Sequence, residues 1–179
     1  MKQAFFALFM CTVLTVSSAW AEKIKENDSF PEFSLTGLKD KNKVDFTGLK
    51  KKHKVILVDF WASWCGPCKE SMPVLNKLDK KFRSKGLAII GINVDNDRES
   101  GLGFLKENPV DFPLVFDEGK KTIDRVGVAT MPSSFLIDNK GKVRHIHKGF
   151  REGDDKKWEE EIAALLGGGG PKAPKGKKK

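Results

Sequence analysis

A short apolar run that leads directly into two closely spaced cysteines is the feature that most restricts the fold of this chain. Residues 55–60 read Val-Ile-Leu-Val-Asp-Phe and are followed by Trp-Ala-Ser-Trp-Cys-Gly-Pro-Cys-Lys. The run is short and rich in strand-forming residues, which predicts a strand buried on both faces, and the apolar spacing after it predicts a helix from about Gly66 to Phe82. We therefore expect Cys65 and Cys68 where a strand ends and a helix begins.

This position favours a reactive cysteine. The first N–H groups of a helix have no partner within the helix, and the helix dipole is positive at that end, so both favour thiolate over thiol. We assign Cys65 the role of nucleophile in thiol–disulfide exchange because it precedes the helix. Cys68 lies about one helical turn later and is assigned as the resolving thiol. Gly66 and Pro67 permit the tight turn at the helix start, and both are expected to belong to the substrate-binding surface beside the cysteines.

Two other uses of the cysteine pair are alternatives to disulfide reduction. A zinc or copper site needs further ligands, and the sequence has no second Cys-x-x-Cys pair. His145 and His147 alternate onto one face of a predicted strand, although histidines that pack or lie at the surface are the commoner case. A dithiol oxidant is the other alternative, since the pattern does not fix the reduction potential. We expect no metal and no cofactor besides the Cys65–Cys68 disulfide itself.

The N-terminal residues predict export. Residues 1–21 combine a positive start, an apolar segment and an Ala-x-Ala cleavage triplet that ends at Ala21, as in a secretory signal peptide. Its removal leaves Cys65 and Cys68 as the only cysteines of a soluble and periplasmic protein. One bridge over a two-residue gap is more typical of a redox centre than of a structural disulfide framework. A retained membrane anchor is the alternative.

The positive charge of the chain is concentrated at its C-terminus. The formal net charge is +9, and residues 172–179 contain five lysines. Residues 167–179 consist of glycine, proline, lysine and alanine, so they cannot bury an apolar face and are predicted to be a disordered tail. The tail is a candidate for contact with anionic surfaces, an adaptor role that would not need the cysteines, and no nucleic-acid partner is expected. The remaining residues, 22–166, are predicted to form one domain.

The rest of this domain predicts an α/β fold. The helix between two buried strands favours a right-handed βαβ crossover, which makes those strands parallel. Apolar and alternating segments predict the other elements. They are a hairpin from strands 30–35 and 43–46, a strand at 87–94, a helix capped by Asn96, an extended piece at 112–116, a short helix at 120–126, a hairpin from strands 133–138 and 142–147, and a last helix capped by Asp154.

These features together resemble the thioredoxin superfamily. The Trp-Cys-Gly-Pro-Cys-Lys motif, the Asp six residues before the first cysteine, the proline in the following helix and a downstream Thr-Met-Pro carry the resemblance over about residues 27–166. The N-terminal hairpin and the segments Gly-Ile-Asn-Val-Asp and Ser-Phe-Leu-Ile-Asp are similar to the exported TlpA/ResA-type thiol-disulfide oxidoreductases. The resemblance implies a thioredoxin fold whose central mixed sheet is flanked by helices. It also implies protein substrates with disulfides or thiols and a membrane or periplasmic electron donor.

The resemblance further implies roles for residues outside the cysteine pair. Asp59 interrupts an apolar strand, where burial is expected to raise its pKa, and the resemblance places it under Cys68 as the acceptor of the thiol proton. An Asp that reaches solvent at the strand end is the alternative. Pro132 resembles the superfamily's cis-proline, which leaves the backbone of Met131 free to pair with an extended segment of the substrate. Trp64 is expected to border that groove.

Two positions depart from the motifs of known reductases. ResA-like reductases usually carry a glutamate at the third position after the second cysteine, where this chain has Ser71, with Glu70 one place earlier. The Gly-Val-x-Gly-x-Pro-Glu pattern of the CcmG reductases is also absent from residues 127–133. A specific role in cytochrome c maturation is therefore less well supported than general disulfide reduction.

Overall fold

The computed structural model describes residues 24–168, which form a mixed β-sheet flanked by helices. The predicted signal peptide and nearly all of the predicted tail lie outside these residues. The elements, in chain order, are β1 (Ser34–Gly37), β2 (Lys43–Asp45), α1 (Phe46–Lys52), β3 (Val55–Trp61), α2 (Gly66–Phe82), β4 (Leu87–Asn93), α3 (Arg98–Glu107), β5 (Leu114–Phe116), α4 (Lys121–Val126), β6 (Ser133–Asp138), β7 (Val143–Lys148) and α5 (Asp154–Leu166).

The strand that leads to the cysteines lies inside the sheet. Over residues 24–168 the sheet has seven strands in the order β2-β1-β5-β4-β3-β6-β7. β3 pairs with β4 in parallel and with β6 in antiparallel orientation, and all of its residues are buried. A strand with neighbours on both edges and cover on both faces needs a nearly continuous apolar run, which is what residues 55–61 supply. The predicted buried strand, the parallel βαβ unit and the mixed α/β sheet are confirmed.

Helix α1 is an element that the sequence analysis missed. The sequence analysis ends a strand at residue 46 and assigns no element to the lysine-rich residues after it, but residues 46–52 form a helix whose N-cap is Asp45. The carboxylate of Asp45 accepts a hydrogen bond from the backbone N–H of Gly48 at 2.6 Å. Phe46 is fully buried, and its ring centroid lies 5.4 Å from that of Phe30. One buried aromatic residue and one cap therefore hold a helix whose other face is basic and solvated.

Two predicted helix caps are wrong by one residue. Helix α3 is capped by Asp97, which accepts from the N–H of Ser100, whereas Asn96 accepts from the ammonium group of Lys120 at 2.8 Å. Helix α5 has Gly153 at its N-cap with φ 91°, and Asp154 is its first residue. Glycine adopts this left-handed backbone at little cost, which explains why the cap position carries no polar side chain. Among residues 24–168 no helix is long and apolar enough to cross a membrane.

Candidate active site

The two cysteines form a disulfide at the first turn of α2. Their sulfur atoms are 2.06 Å apart and their Cα atoms 5.3 Å apart. Cys65 is the N-cap residue, and its sulfur accepts a hydrogen bond from the backbone N–H of Cys68 at 3.2 Å. Cys65 is 5% exposed and Cys68 is fully buried. Cys65 is thus the less deeply buried residue of the pair, which fits Cys65 as the attacking and Cys68 as the resolving thiol.

A buried carboxylate at the end of β4 holds the loop that carries Cys65. Both oxygens of Asp95 accept the backbone N–H of Ser63 at 3.1 Å, and Oδ1 also accepts the hydroxyl of Ser63 at 3.0 Å. Asn93 donates its side-chain amide to Oδ2 at 2.8 Å. The sequence analysis missed this function of Asp95. The available signal is the polar Asn-Val-Asp that follows an apolar strand in a parallel pair, because the ends of such strands meet at one edge.

Asp59 is a fully buried carboxylate in the middle of the sheet. It lies opposite Gly91 of β4 and Ser134 of β6. The hydroxyl of Ser134 donates to Oδ1 at 2.6 Å, whereas Oδ2 is buried without a hydrogen-bond partner among residues 24–168. Burial raises the pKa of Asp59 from 3.8 to about 7, although the hydrogen bond from Ser134 lowers it. The alternative in which Asp59 reaches solvent at the strand end is therefore wrong. With this pKa, Asp59 can gain or lose a proton near neutral pH.

The start of β6 brings Met131 and Pro132 to the strand end that precedes the cysteine loop. Phe60 pairs with Ser133, so Pro132 and Met131 continue the line of β6 beyond the last pair of the ladder. The Met131–Pro132 peptide bond is cis, as the resemblance implies. Pro132 is buried and Met131 is partly buried. Because Met131 precedes β6, its backbone lies outside the register of that strand.

The two tryptophans that flank the site have opposite environments. Trp64, directly before Cys65, is 68% exposed. Among residues 24–168 it is the one large hydrophobic side chain that is exposed. Trp61 is fully buried, and its ring centroid lies 5.3 Å from that of Phe104 in α3. Trp64 is thus available to a docking protein, whereas Trp61 belongs to the core.

Ser71 occupies the third position after Cys68, where the resemblance to ResA-type reductases leads to the expectation of a glutamate. It is fully buried, and its hydroxyl donates to the backbone carbonyl of Cys68 at 3.1 Å. Glu70, one place earlier, is exposed. The buried carboxylates described at this site are therefore Asp59 on β3 and Asp95 after β4, and neither belongs to α2.

The two histidines of β7 pair with a glutamate of α5. His147 Nε2 lies 2.8 Å from Glu161 Oε2, and His145 Nδ1 lies 3.6 Å from Glu161 Oε1. The ring of His147 also packs on Trp158 with 5.1 Å between centroids. Among residues 24–168 no group of three or more His, Cys, Asp or Glu side chains could hold a metal ion. The described residues thus give the metal-binding alternative no support.

Comparison with known proteins places this geometry in context. The model of the Redoxin family matches residues 25–163. The thiol-disulfide oxidoreductase ResA of Bacillus thuringiensis strain Al Hakam is 37% identical over 122 residues, which cover 68% of this chain and 69% of ResA. ResA of Bacillus subtilis strain 168 is 33% identical over 132 residues, which cover 74% and 72%.

Solved structures agree with these sequence similarities. A crystal structure from Chlorobium tepidum, provisionally named thiol:disulfide interchange protein DsbE, has a TM-score of 0.75 and 37% identity and covers 80% of this chain and 99% of its own. The thioredoxin domain of a thiol-disulfide oxidoreductase from Bacteroides vulgatus has a TM-score of 0.66 and 26% identity, with coverage of 78% and 99%. The predicted thioredoxin fold is confirmed.

Proposed function

This chain belongs to the Redoxin family, and we propose that it acts outside the cytoplasm as a reductase of disulfides in other proteins. It is a thiol-disulfide oxidoreductase similar to ResA, as the sequence motifs predicted. The observation that carries the proposal is the position of Cys65, whose sulfur caps helix α2 while bonded to Cys68. The reducing direction is supported by the Gly-Pro pair between the cysteines and by Asp59, both of which match reducing thioredoxins.

The first step is attack on the substrate. The thiolate of Cys65 attacks one sulfur of the substrate disulfide, so that a Cys65–substrate bond forms, the substrate disulfide breaks and its other sulfur leaves as a thiolate that takes up a proton. The N–H of Cys68 that already bonds the sulfur of Cys65 stabilises the attacking thiolate. Trp64 and the backbone of Met131 offer an apolar contact and a β-strand edge to an extended substrate segment.

The second step releases the reduced substrate. Asp59 takes the proton of the Cys68 thiol, and the resulting thiolate attacks the sulfur of Cys65. The Cys65–Cys68 bond forms, the mixed disulfide breaks, and the second substrate thiolate leaves and takes up a proton. The substrate has gained two electrons and the cysteine pair has lost two. A dithiol protein of the membrane or periplasm returns them, so the pair needs no further cofactor.

An insulin-reduction assay with dithiothreitol as the electron source tests this function. The wild-type protein is expected to accelerate reduction of the insulin disulfides, and a rate equal to that of dithiothreitol alone would contradict the proposal. Equilibration with mixtures of reduced and oxidised glutathione tests the direction. A reductase keeps its Cys65–Cys68 disulfide except in strongly reducing mixtures, whereas a dithiol oxidant is reduced even in weakly reducing ones.

Export and a contact of the basic tail with anionic surfaces belong to the same proposal. The support is the signal-peptide pattern of residues 1–21 and the five lysines of residues 172–179. The described chain ends at Gly168 beside a cleft whose lining includes Lys54 and Arg144, the latter paired with Asp138, which also lines the cleft. Sequencing of the mature N-terminus and cell fractionation test export. Sedimentation with vesicles that contain anionic lipid, with and without residues 167–179, tests the tail.

A further inference from the structure

Asp59 and Ser134 face each other across the centre of the sheet. They are directly opposed residues of β3 and β6, and side chains of an opposed pair lie on the same face. Both residues are buried, and the Oγ–Oδ1 distance is 2.6 Å. The hydroxyl of Ser134 can donate only one hydrogen bond, and it is given to this carboxylate. Asp59 Oδ2 is buried without a partner in the described part of the chain.

We propose that Ser134 is the positioning residue of the proton acceptor: its hydroxyl holds Oδ1 of Asp59 and leaves Oδ2 as the oxygen that takes up and returns the proton. This inference rests on the proposed role of Asp59 in the second step. A carboxylate with one oxygen fixed by a donor presents its other oxygen in a defined orientation, and orientation of the acceptor is what proton transfer from a positioned thiol requires.

Of the two residues opposed to Asp59 on the neighbouring strands, Ser134 is the one that donates a hydrogen bond to its carboxylate. On the other side, β4 places Gly91 opposite Asp59, and glycine has no side chain to offer. The ionisable side chain that continues this row is His147, which lies opposite Ser134 on β7, and the proposed second step adds the thiol of reduced Cys68. His147 is within 2.8 Å of Glu161, so α5 engages that ring. The pKa of Asp59 is accordingly governed by burial and by the Ser134 hydroxyl, without a contribution from a charged side chain of residues 24–168.

The donor also has a defined effect on protonation. A hydrogen bond from Ser134 stabilises the ionised form of Asp59 and so opposes the effect of burial, which favours the protonated form. Without the hydroxyl, Asp59 would stay protonated to a higher pH and would be a poorer acceptor at neutral pH. Ser134 thereby keeps the acceptor usable in the pH range where the Cys68 thiol must lose its proton.

The test is a titration of Asp59 by NMR of its carboxyl carbon in the full mature protein, in wild type and in three variants. Ser134→Ala is expected to raise the pKa of Asp59 by about one pH unit, the size expected when a hydrogen bond to a charged group is lost. Ser134→Thr, which keeps a hydroxyl, is expected to restore a pKa near that of wild type. Ser133→Ala is the matched control, because the hydroxyl of Ser133 donates to the carbonyl of Thr130 and not to Asp59.

Kinetics then separate positioning from a merely structural role. Ser134→Ala is expected to move the alkaline rise of the insulin-reduction rate to higher pH by the same amount, and to have no such effect in the Asp59→Asn background. An unchanged Asp59 titration in Ser134→Ala, or an equal change of the pH profile with and without Asp59, would overturn the inference. If wild type reduces no disulfide, the proposed function fails, and the NMR titration still decides whether Ser134 governs Asp59.

Discussion

The sulfur of Cys65 accepts a hydrogen bond from the backbone N–H of Cys68 at 3.2 Å. The three-residue spacing that allows the Cys65–Cys68 disulfide therefore also lets the Cys65 side chain cap helix α2. The same N–H and the helix dipole are available to the Cys65 thiolate once the disulfide is reduced. The helix backbone thus stabilises the attacking sulfur. A serine oxygen at position 65 would accept the same backbone N–H equally well. This makes Ser substitutions clean probes of the chemistry.

Cys65→Ser should abolish reduction of insulin disulfides, to the rate of dithiothreitol alone, because no thiolate remains to attack the substrate. The fold should persist, since serine is a favoured N-cap residue. Circular dichroism and the turbidity of reduced insulin measure the two outcomes. Turnover at the wild-type rate would remove Cys65 from the role of nucleophile.

Cys68→Ser should instead accumulate mixed disulfides with substrate. Cys65 can still attack, but the thiol that would release the substrate is missing. Non-reducing electrophoresis and mass spectrometry should show a covalent adduct that reductant removes and that the Cys65→Ser protein does not form. An adduct on Cys65→Ser would reverse the two assignments.

Asp59→Asn should make the oxidised protein more stable, and increasingly so as the pH rises. The pKa of Asp59 is raised by burial from 3.8 to about 7. Below about pH 4 the carboxyl is protonated in both the folded and the unfolded state, so it adds nothing to the pH dependence of stability. Between about pH 4 and pH 7 the folded state retains a proton that the unfolded state has lost. The free energy of unfolding of wild type therefore falls as the pH rises through this range. The gain on substitution should therefore increase by roughly 4 kcal/mol between about pH 4 and pH 7 and stay constant above that.

Urea unfolding of wild type and Asp59→Asn at pH 4 and pH 8 measures this difference. Asp124→Asn is the control, since Asp124 is an exposed carboxylate on α4 and its removal should leave the pH dependence of wild type intact. An Asp59→Asn protein whose stability changes with pH in parallel with wild type would show that Asp59 is ionised alike in the folded and unfolded states.

The same substitution should slow turnover. Without a proton acceptor for the Cys68 thiol, the second step is expected to lose about tenfold or more of its rate near neutral pH. Attack by Cys65 should be unaffected, so the mixed disulfide should form normally and decay slowly in rapid-quench experiments. Unchanged turnover from pH 6 to pH 9 would remove Asp59 from the mechanism.

Trp64→Ala should weaken recognition of protein substrates without loss of stability. Trp64 is 68% exposed, so the free energy of unfolding should change by less than about 0.5 kcal/mol. The KM for insulin should rise several-fold if the indole contacts the substrate, whereas the rate with a small-molecule disulfide, which needs no such surface, serves as the internal control. An equal loss with both substrates would indicate that Trp64 acts on the cysteines and not on docking.

The parts of the site that sequence predicted are those with a local signal. Strand β3 and the start of α2 are encoded by an uninterrupted apolar run and a Cys-Gly-Pro-Cys turn, so their positions follow from neighbouring residues alone. Asp59 is identifiable because a lone carboxylate within such a run is unusual. Pro132 was recognised through the resemblance and not through its own neighbours.

The parts that sequence missed depend on contacts between distant segments. Ser134 is one of two consecutive serines, and only the register of β6 against β3 decides which of them meets Asp59. Asp97 rather than Asn96 caps α3, although both are good N-cap residues, because Asn96 is engaged by Lys120 from 24 residues away. Helix α1 has seven residues, of which one is buried. Its sequence therefore shows almost no helical spacing of apolar residues from which a helix could be predicted.

Gly91 and Gly103 offer a matched pair of Gly→Ala substitutions with opposite expected signs. A Cβ on Gly91 would lie 2.4 Å from Leu114 Cδ2 and 3.2 Å from the indole nitrogen of the fully buried Trp61. Gly91→Ala should therefore lower the free energy of unfolding by about 1–3 kcal/mol, as expected for overpacking of a core. Gly103 lies on the exposed side of α3, where a Cβ meets no atom within 4 Å.

Gly103→Ala should raise the free energy of unfolding by about 0.5–1 kcal/mol, because alanine is the better helix former. Urea unfolding at one pH measures both variants against wild type. A Gly91→Ala protein as stable as wild type would mean that Leu114 and Trp61 can move aside, so the residue opposite Asp59 on β4 need not be glycine. Its insulin-reduction rate would then show whether a side chain at this position alters the proton acceptor.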